Sequence, residues 1–346
     1  MSIKSSFEVN ANIPSSLIID GCPDLVPEIS IMIPTFNRPE LLDEAIQSAI
    51  NQKVDFNISF EVVVVDNCSN PEYTNDIDRV VKKYIPGNIR LFRNKQNIGM
   101  YGNWNRCIEL ARGRSLSILN DDDILHLAFL QSCYQNSLND SAMISVAHVT
   151  FSRVADIKSP ESEIEFEPLK IANFLSFNPV FGSLGMLMRR DSAIEIGGYN
   201  LDKWPTSDYY FNFEYFKRFG TKKTKTVLAG YRYLANESLK KETLHGFLNN
   251  DVKFRCSIAN IYLNSNLQKK IFNFLNKCCI ASSAVRYKKL NKEFDCIAVY
   301  NKYDVGLFFK VFFSLPLVAP FFDRARCFFW SVVINIGSKK IKRSST

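Results

Sequence analysis

Short apolar runs alternate with amphipathic stretches along the first third of the chain. Ile29-Ser30-Ile31-Met32-Ile33-Pro34 reads as a strand closed by Pro34. After Thr35-Phe36-Asn37-Arg38, Pro39 suits the first turn of a helix. Leu41, Leu42, Ala45, Ile46, Ala49 and Ile50 then repeat at helical spacing, which predicts one buried face. Phe60-Glu61-Val62-Val63-Val64-Val65 is a nearly continuous β-branched run, the pattern of a strand covered on both faces. It ends in the polar pair Asp66-Asn67. Ile89-Arg90-Leu91-Phe92 is a third strand, followed by Asn97-Ile98-Gly99 and a helix from about Tyr101 to Ala111. Ser115 to Leu119 is a fourth. The alternation predicts an α/β domain with a mainly parallel central sheet flanked by helices.

The fourth strand runs straight into Asn120-Asp121-Asp122-Asp123. Three adjacent carboxylates at the end of a buried strand repel one another and resist desolvation. Two readings are open at this point. The acids can form a solvated turn that caps a helix starting near His126. They can also hold a divalent cation, which takes one or two carboxylates and fills its other positions with substrate phosphates and water. In parallel sheets, ligands bind beyond the carboxyl ends of the strands. The loops at those ends carry Arg38, Asp66, Asn97 and Asp122. Together they predict a site.

Pro34-Thr35-Phe36-Asn37-Arg38, Val65-Asp66-Asn67, Asn97-Ile98-Gly99 and Leu119-Asn120-Asp121-Asp122-Asp123, in that order, resemble the signature of family 2 glycosyltransferases with the Rossmann-like GT-A fold. The resemblance covers roughly residues 28 to 235. It implies inverting transfer of a sugar from a nucleotide-sugar, a UDP-sugar first of all, to an acceptor hydroxyl. Residue by residue, it implies that Asp66 accepts the ring N–H of the base, a directional use of a carboxylate. Thr35, Asn37, Arg38, Asn97, Asn120 and Asp121 would line the nucleotide cleft, with Arg38 near ribose or phosphate. Asp122 takes the position that bridges Mg²⁺ or Mn²⁺ to the diphosphate, and Asp121 or Asp123 shares that work. Where many members have an acid, this chain has Asn120, which brings no charge to the cation.

Gly197-Gly198-Tyr199-Asn200 and Trp204-Pro205-Thr206-Ser207-Asp208 form a second anchor. In the family, a Gly-Gly-aromatic turn precedes the acid that serves as general base, and Asp208 matches it. The alternative is a helix cap at Ser207 or Asp208. Trp204 stacks on a sugar or covers the core. Leu234 stands where members often carry a metal-binding His. His126, His148 and His245 show no zinc-ligand spacing, with each other or with cysteine.

The chain has 346 residues, 46% of them apolar, enough for one domain and an appendage. Residues 1–27 read as a polar arm, 28–245 as the transferase domain and 246–346 as a helical appendage. No basic segment followed by a long apolar one marks a secretory signal. Nine cysteines predict free thiols in a reducing compartment, the cytoplasm. Between Phe181 and Arg190, Gly182, Ser183 and Gly185 permit close backbone approach to a ligand or tight packing.

Near the end, Leu307 to Leu315 and Phe321-Phe322 are apolar, and Phe328, Phe329, Val332, Val333 and Ile336 are expected to share a helical face. Lys310, Arg324, Arg326, Lys339, Lys340, Lys342 and Arg343 surround these faces. Neither piece reaches the length of about 20 residues that a membrane span needs. The pattern fits interfacial helices on the anionic inner face of a membrane, or a bundle packed on protein. The net charge of +8 favours an anionic partner. No nucleic-acid-binding motif accompanies it. With the basic, amphipathic tail, the resemblance implies an undecaprenyl-linked or other glycan acceptor in surface-polysaccharide assembly as the partner. A nucleotide-sugar-forming nucleotidyltransferase and a silent glycan-binding or scaffold relative are the rival readings. The first lacks its Gly-rich loop between Pro34 and Arg38. The second is opposed by Asp66, Asp122 and Asp208.

Overall fold

The computed structural model describes residues 5–55, 58–138, 140–153, 157–233 and 239–335. In chain order its strands and helices are β1 (Ser15–Asp20), β2 (Ile29–Thr35), α1 (Pro39–Ile50), β3 (Phe60–Asp66), α2 (Pro71–Lys82), β4 (Ile89–Asn94), α3 (Gly99–Leu110) and β5 (Ser115–Ile118). There follow β6 (Ile124–Leu125), α4 (Phe129–Ser137), β7 (Met143–Phe151), β8 (Glu167–Pro168), α5 (Ile171–Ser176), β9 (Met186–Arg189), α6 (Arg190–Glu195), α7 (Ser207–Phe219) and β10 (Thr221–Arg232). Then come α8 (Lys241–Tyr262), α9 (Asn266–Leu290), α10 (Cys296–Lys302), α11 (Leu307–Ser314) and α12 (Val318–Asn335). Two units result. The first holds Met1–Leu169, Val180–Asp202 and Ser207–Leu234; the second holds Lys170–Pro179, Lys203–Thr206 and Ala235–Thr346.

In the first unit the four runs expected as strands pair in parallel, in the order β4-β3-β2-β5. Alternate residues of a strand point to opposite faces, and both faces are apolar here. Ile31, Ile33, Val62 and Val64 pack with Leu42, Ile46, Ile77 and Val81 of α1 and α2. Met32, Val63 and Val65 pack on the other side with Trp104 and Ile108 of α3. Antiparallel β9 joins β5 to β7, and β7 runs parallel to β10.

Three features differ from the sequence pattern. The segment read as an arm contributes β1, which covers the open edge of β4 in antiparallel pairing. Its polar and proline-rich surroundings hide a strand whose partner lies some 75 residues on. Between the acidic run and α4 sits β6, paired with β10, so the carboxylates do not cap the helix that follows. In α12, Phe328 and Val332 face solvent while Val333 is buried, as is Trp330, so the described residues expected on one face are split. Residues 328 and 333 are 500° apart around a helix of 100° per residue, which puts them on different sides.

The second unit is helical. α9 opens with a capping box in which Ser265 accepts from the Gln268 N–H and the Gln268 side chain accepts from the Ser265 N–H. Phe272 meets Trp330 and Phe313 meets Phe322 in its core. Arg326 is buried over Phe177 and paired with Asp323, so it is not one of the basic residues open to a surface. Among the described residues no helix is long and apolar enough to cross a membrane. Leu234, Ile336, Lys339, Lys340, Lys342 and Arg343 lie outside the described residues.

Candidate active site

Register builds the site. β2 and β3 end together, with Thr35 opposite Asp66, and Asp66 is opposite Arg93 of β4. β5 stops beside Met32, so the acidic run passes alongside the last residues of β2. The Thr35 hydroxyl donates to Asp121 Oδ2 at 2.8 Å, and the Phe36 N–H reaches the same oxygen at 3.4 Å. Arg38 donates to Asp122 Oδ2 at 2.9 Å and to Asp121 Oδ1 at 3.5 Å. Asn37 adopts a left-handed backbone, a conformation asparagine tolerates. Its N–H donates to Ser69 Oγ at 2.9 Å, and its side-chain oxygen accepts from the Asn70 N–H at 2.8 Å. Hydrogen bonds thus tie the ends of β2, β3 and β5 into one rim.

Asp66 is fully buried. Its Oδ1 accepts from the Ser69 N–H at 2.9 Å and its Oδ2 from Arg93 Nε at 2.5 Å, while Arg93 also holds Asp78 at 2.7 Å. Each carboxylate oxygen retains a second lone pair, so a base N–H would share Asp66 with Arg93. Asn97 is exposed, and its side-chain oxygen accepts from Asn67 and from the Gly99 N–H two residues on, a turn bond that shapes the start of α3.

The three acids are not equivalent. Asp123 points inward: its Oδ1 accepts from the Arg232 N–H at 2.9 Å and its Oδ2 from Asn120 Nδ2 at 3.0 Å. These two bonds fasten the loop, and they engage both oxygens of a side chain expected to share the metal. Burial, then the charge of Asp122, push Asp123 up to about 7 and Asp121 up to about 6, with Arg38 and the Thr35 hydroxyl opposing the rise at Asp121. Asn120 is held at both ends, donating to Asp123 and accepting from Ser183 Oγ at 3.2 Å. Asp122 differs. Its carboxylate faces Arg38, whose side chain is 40% exposed.

Whether a divalent cation fits can be judged from these partners. Among the described residues no three His, Cys, Asp or Glu side chains cluster as ligands. Such an ion needs only one or two protein carboxylates when a diphosphate supplies oxygens. The Arg38 guanidinium, a positive group on the outer carboxylate, already stands in for that charge. Asp122 fits as the ligand.

Asp208 enters from the other side of the sequence. Asn105 clamps the Tyr199 peptide, accepting from its N–H at 2.7 Å and donating to its carbonyl at 2.9 Å. Gly198, with φ of +71°, lies so close that a Cβ would meet Asn105 Oδ1 at 2.5 Å, which explains the glycine there. Tyr199 stacks on Phe211 of α7 with centroids 4.0 Å apart. Asp208 is the second residue of α7, where a negative charge favours the helix end. The Tyr101 hydroxyl, in the first turn of α3, donates to Asp208 Oδ1 at 3.3 Å. Burial and the Asp208 charge push the Tyr101 phenol far up, so it stays a donor. Because α3 starts beyond the carboxyl end of β4, this bond brings Asp208 to the same edge of the sheet as the acidic loop.

Arg232 is the residue the sequence pattern missed as a member of this site. It is buried, donates its N–H to Asp123 and its Nε to the Asp122 carbonyl at 2.9 Å, pairs with Glu44, and lies over the Phe151 ring at 4.6 Å. A lone arginine directly after the apolar run Val227 to Tyr231 is the signal that could have found it. Trp204 is half exposed, and its carbonyl accepts from Asn250. His245 stacks on Phe294, and His148 lies against Phe181. Burial lowers the pKa of both. Gly185 serves packing, since a Cβ there would meet Val146 at 2.8 Å.

Residues 30–197 match the model of the family described as glycosyl transferase family 2. An uncharacterized glycosyltransferase of Methanocaldococcus jannaschii is 24% identical over 327 residues, covering 92% of this chain and 97% of its own. The GalNAc(5)-diNAcBac-PP-undecaprenol beta-1,3-glucosyltransferase of Campylobacter jejuni is 33% identical over 113 residues, 32% of this chain and 35% of its own. An uncharacterized Mycobacterium tuberculosis protein is 25% identical over 54% of this chain, which spans 60% of that relative's length. Among solved structures, Staphylococcus aureus TarS 1-349 in complex with UDP-GlcNAc has a TM-score of 0.53 at 15% identity, over 89% of this chain and 90% of its own. A Pyrobaculum calidifontis mannosyltransferase in complex with GDP-Man and Mn²⁺ has a TM-score of 0.51 at 13% identity, over 95% and 92%. At those identities the likeness is one of fold.

Proposed function

We propose, for a chain that belongs to glycosyl transferase family 2 and has the GT-A fold, that it transfers the sugar of a UDP-sugar, with inversion, to a hydroxyl of a lipid-linked glycan. The observation that carries this reading is the rim at the carboxyl end of the parallel sheet, where Thr35, Arg38, Asp121 and Asp122 are hydrogen-bonded together and Asp208 is delivered to the same edge by Tyr101. Asp66, held by Ser69 and Arg93, receives the ring N–H of the base. Asn37, Asn97 and Asn120 shape the nucleotide cleft through the turns they fix. Asp122 would hold Mg²⁺ or Mn²⁺, whose charge would offset that growing on the departing diphosphate. Asp121 and Asp123 keep that carboxylate in place, through Thr35 and Arg232 respectively. Asp208 takes the proton of the acceptor hydroxyl, the one task an inverting transfer asks of a base.

The acceptor reading draws on the Campylobacter relative, whose name specifies a polyprenyl-diphosphate-linked glycan, and on the basic, aromatic end of this chain. It places the enzyme as a peripheral protein on the inner face of the membrane. A panel of UDP- and GDP-sugars, followed by release of nucleoside diphosphate with and without Mn²⁺, tests the donor. Turnover of UDP-sugars that stops with EDTA is expected. Release only from GDP-sugars would overturn the assignment of uracil to Asp66, and metal-independent release would overturn the role of Asp122.

A further inference from the structure

The second unit leaves a large apolar face uncovered. From Val305 to Phe322 the sequence has one charged side chain, Lys310, and no acid. Such a run would ordinarily be core, yet here only Val305, Phe313, Ala319 and Phe322 are buried. Phe313 is buried against Phe322, and Phe309 meets Phe274 of α9. Most of the run points outward. Leu307 is 75% exposed, Leu317 81% and Phe321 69%, and Phe308 and Phe312, stacked one turn apart, are exposed beside them. Pro316 has no N–H to continue α11 and holds Leu315 extended, so the apolar run bends into an elbow between α11 and α12 instead of forming one rod. Contiguous exposed faces of this kind mark interaction sites.

Charge selects the occupant. Of the 43 Lys and Arg and 35 Asp and Glu in the chain, residues 235–346 contain 19 and 7, and residues 1–234 contain 24 and 28. The whole net charge of +8 therefore comes from the unit that bears the apolar elbow. Around the elbow, Lys310 lies over Tyr300 and Arg324 is exposed between Phe321 and Phe328 on the outer stripe of α12. A second copy of this chain would bring the same positive charge to the contact and be repelled. An anionic lipid surface accepts both the apolar side chains and the basic rim.

We propose that the elbow from Leu307 to Phe321 is a membrane-docking surface that inserts its apolar tip into the headgroup boundary of an anionic bilayer. The inference deepens the lipid-linked acceptor reading above by naming the surface that meets lipid. Its test needs no transfer reaction, so either reading can fail alone. The full chain is floated with vesicles of phosphatidylglycerol in phosphatidylethanolamine, and with phosphatidylcholine alone. Binding to the anionic vesicles is expected, weakening severalfold as salt rises. Leu317→Asp with Phe321→Asp is expected to lower it by about 100-fold or more. Lys310→Glu with Arg324→Glu, which alters no apolar residue and so guards against misfolding, is expected to lower it by about tenfold or more. Unchanged flotation in both variants would overturn the proposal. So would a wild-type chain that ignores vesicles and sediments as a dimer that the Asp substitutions dissociate.

Discussion

The two ends of β3 each carry a buried carboxylate with arginine beside it, yet they do different things. At the amino end Glu61 accepts from Ser30 Oγ at 2.7 Å, from Arg90 at 3.0 Å, and from both the N–H and the guanidinium of Arg112. Its neighbours are anchored in turn, since the Gly113 N–H donates to the same serine. Every partner is part of the frame. At the carboxyl end the acids are graded. Asp66 and Asp123 are held nearly as firmly as Glu61, while Asp122 faces a guanidinium that is 40% exposed. Burial and charge do not separate structure from chemistry in this sheet. What separates them is whether the countercharge can leave.

Removing the acid with the movable partner should have the largest effect. Asp122→Ala should lower turnover by about 10³-fold or more, the loss expected when the ligand for leaving-group charge is removed. Its melting temperature should stay within a degree or so of wild type. A large loss of stability would make Asp122 another Glu61. Next in size is Asp208, the residue proposed as the base. Asp208→Asn keeps the shape of the side chain but cannot take a proton, so transfer should fall by roughly 10²–10⁴-fold with donor affinity by calorimetry unchanged. Since Asn suits a helix start about as well as Asp, an unchanged rate would leave Asp208 a structural residue of α7.

The opposite end should give the opposite split. Glu61→Ala leaves Arg90 and Arg112 beside a buried gap, and breaking a buried pair in this way typically costs about 3–5 kcal/mol. Denaturant unfolding should record that loss, while the turnover of the molecules still folded stays near wild type. A turnover defect at full stability would show that the amino end is coupled to the chemistry.

The four parallel strands, the order of the loops and the acids at their ends were legible in the sequence because they are local: apolar runs, turn residues and charges a few positions apart. What pairs at long range was not. β1 is a short edge strand among polar residues, and its reason for existing is the open edge of β4. β6 has two residues, too few for any periodicity, and is fixed only by β10. For the same reason the unequal roles of Asp121, Asp122 and Asp123 could not be read from three identical letters. Arg232, 109 positions beyond Asp123, decides which of them turns inward.

The finest test concerns how firmly the frame grips Asp208, the proposed base. Tyr101 donates to Asp208 at 3.3 Å, a long bond from a phenol that keeps its proton. A hydrogen bond to the ionised form favours that form, so removing it makes the carboxylate easier to protonate. Tyr101→Phe should therefore move the acidic limb of the pH–rate profile upward, by a few tenths of a unit to about one unit. The rate well above that limb should fall only severalfold, because the ring remains to hold Trp104 and Tyr199 in place. If Asp208 is the base, activity lost at low pH is recovered by raising the pH. If it is only part of the frame, the variant loses stability at every pH and the limb does not move. Tyr101 would then belong with Ser30 and Arg112 at the amino end, as one more fixed partner of a fixed acid.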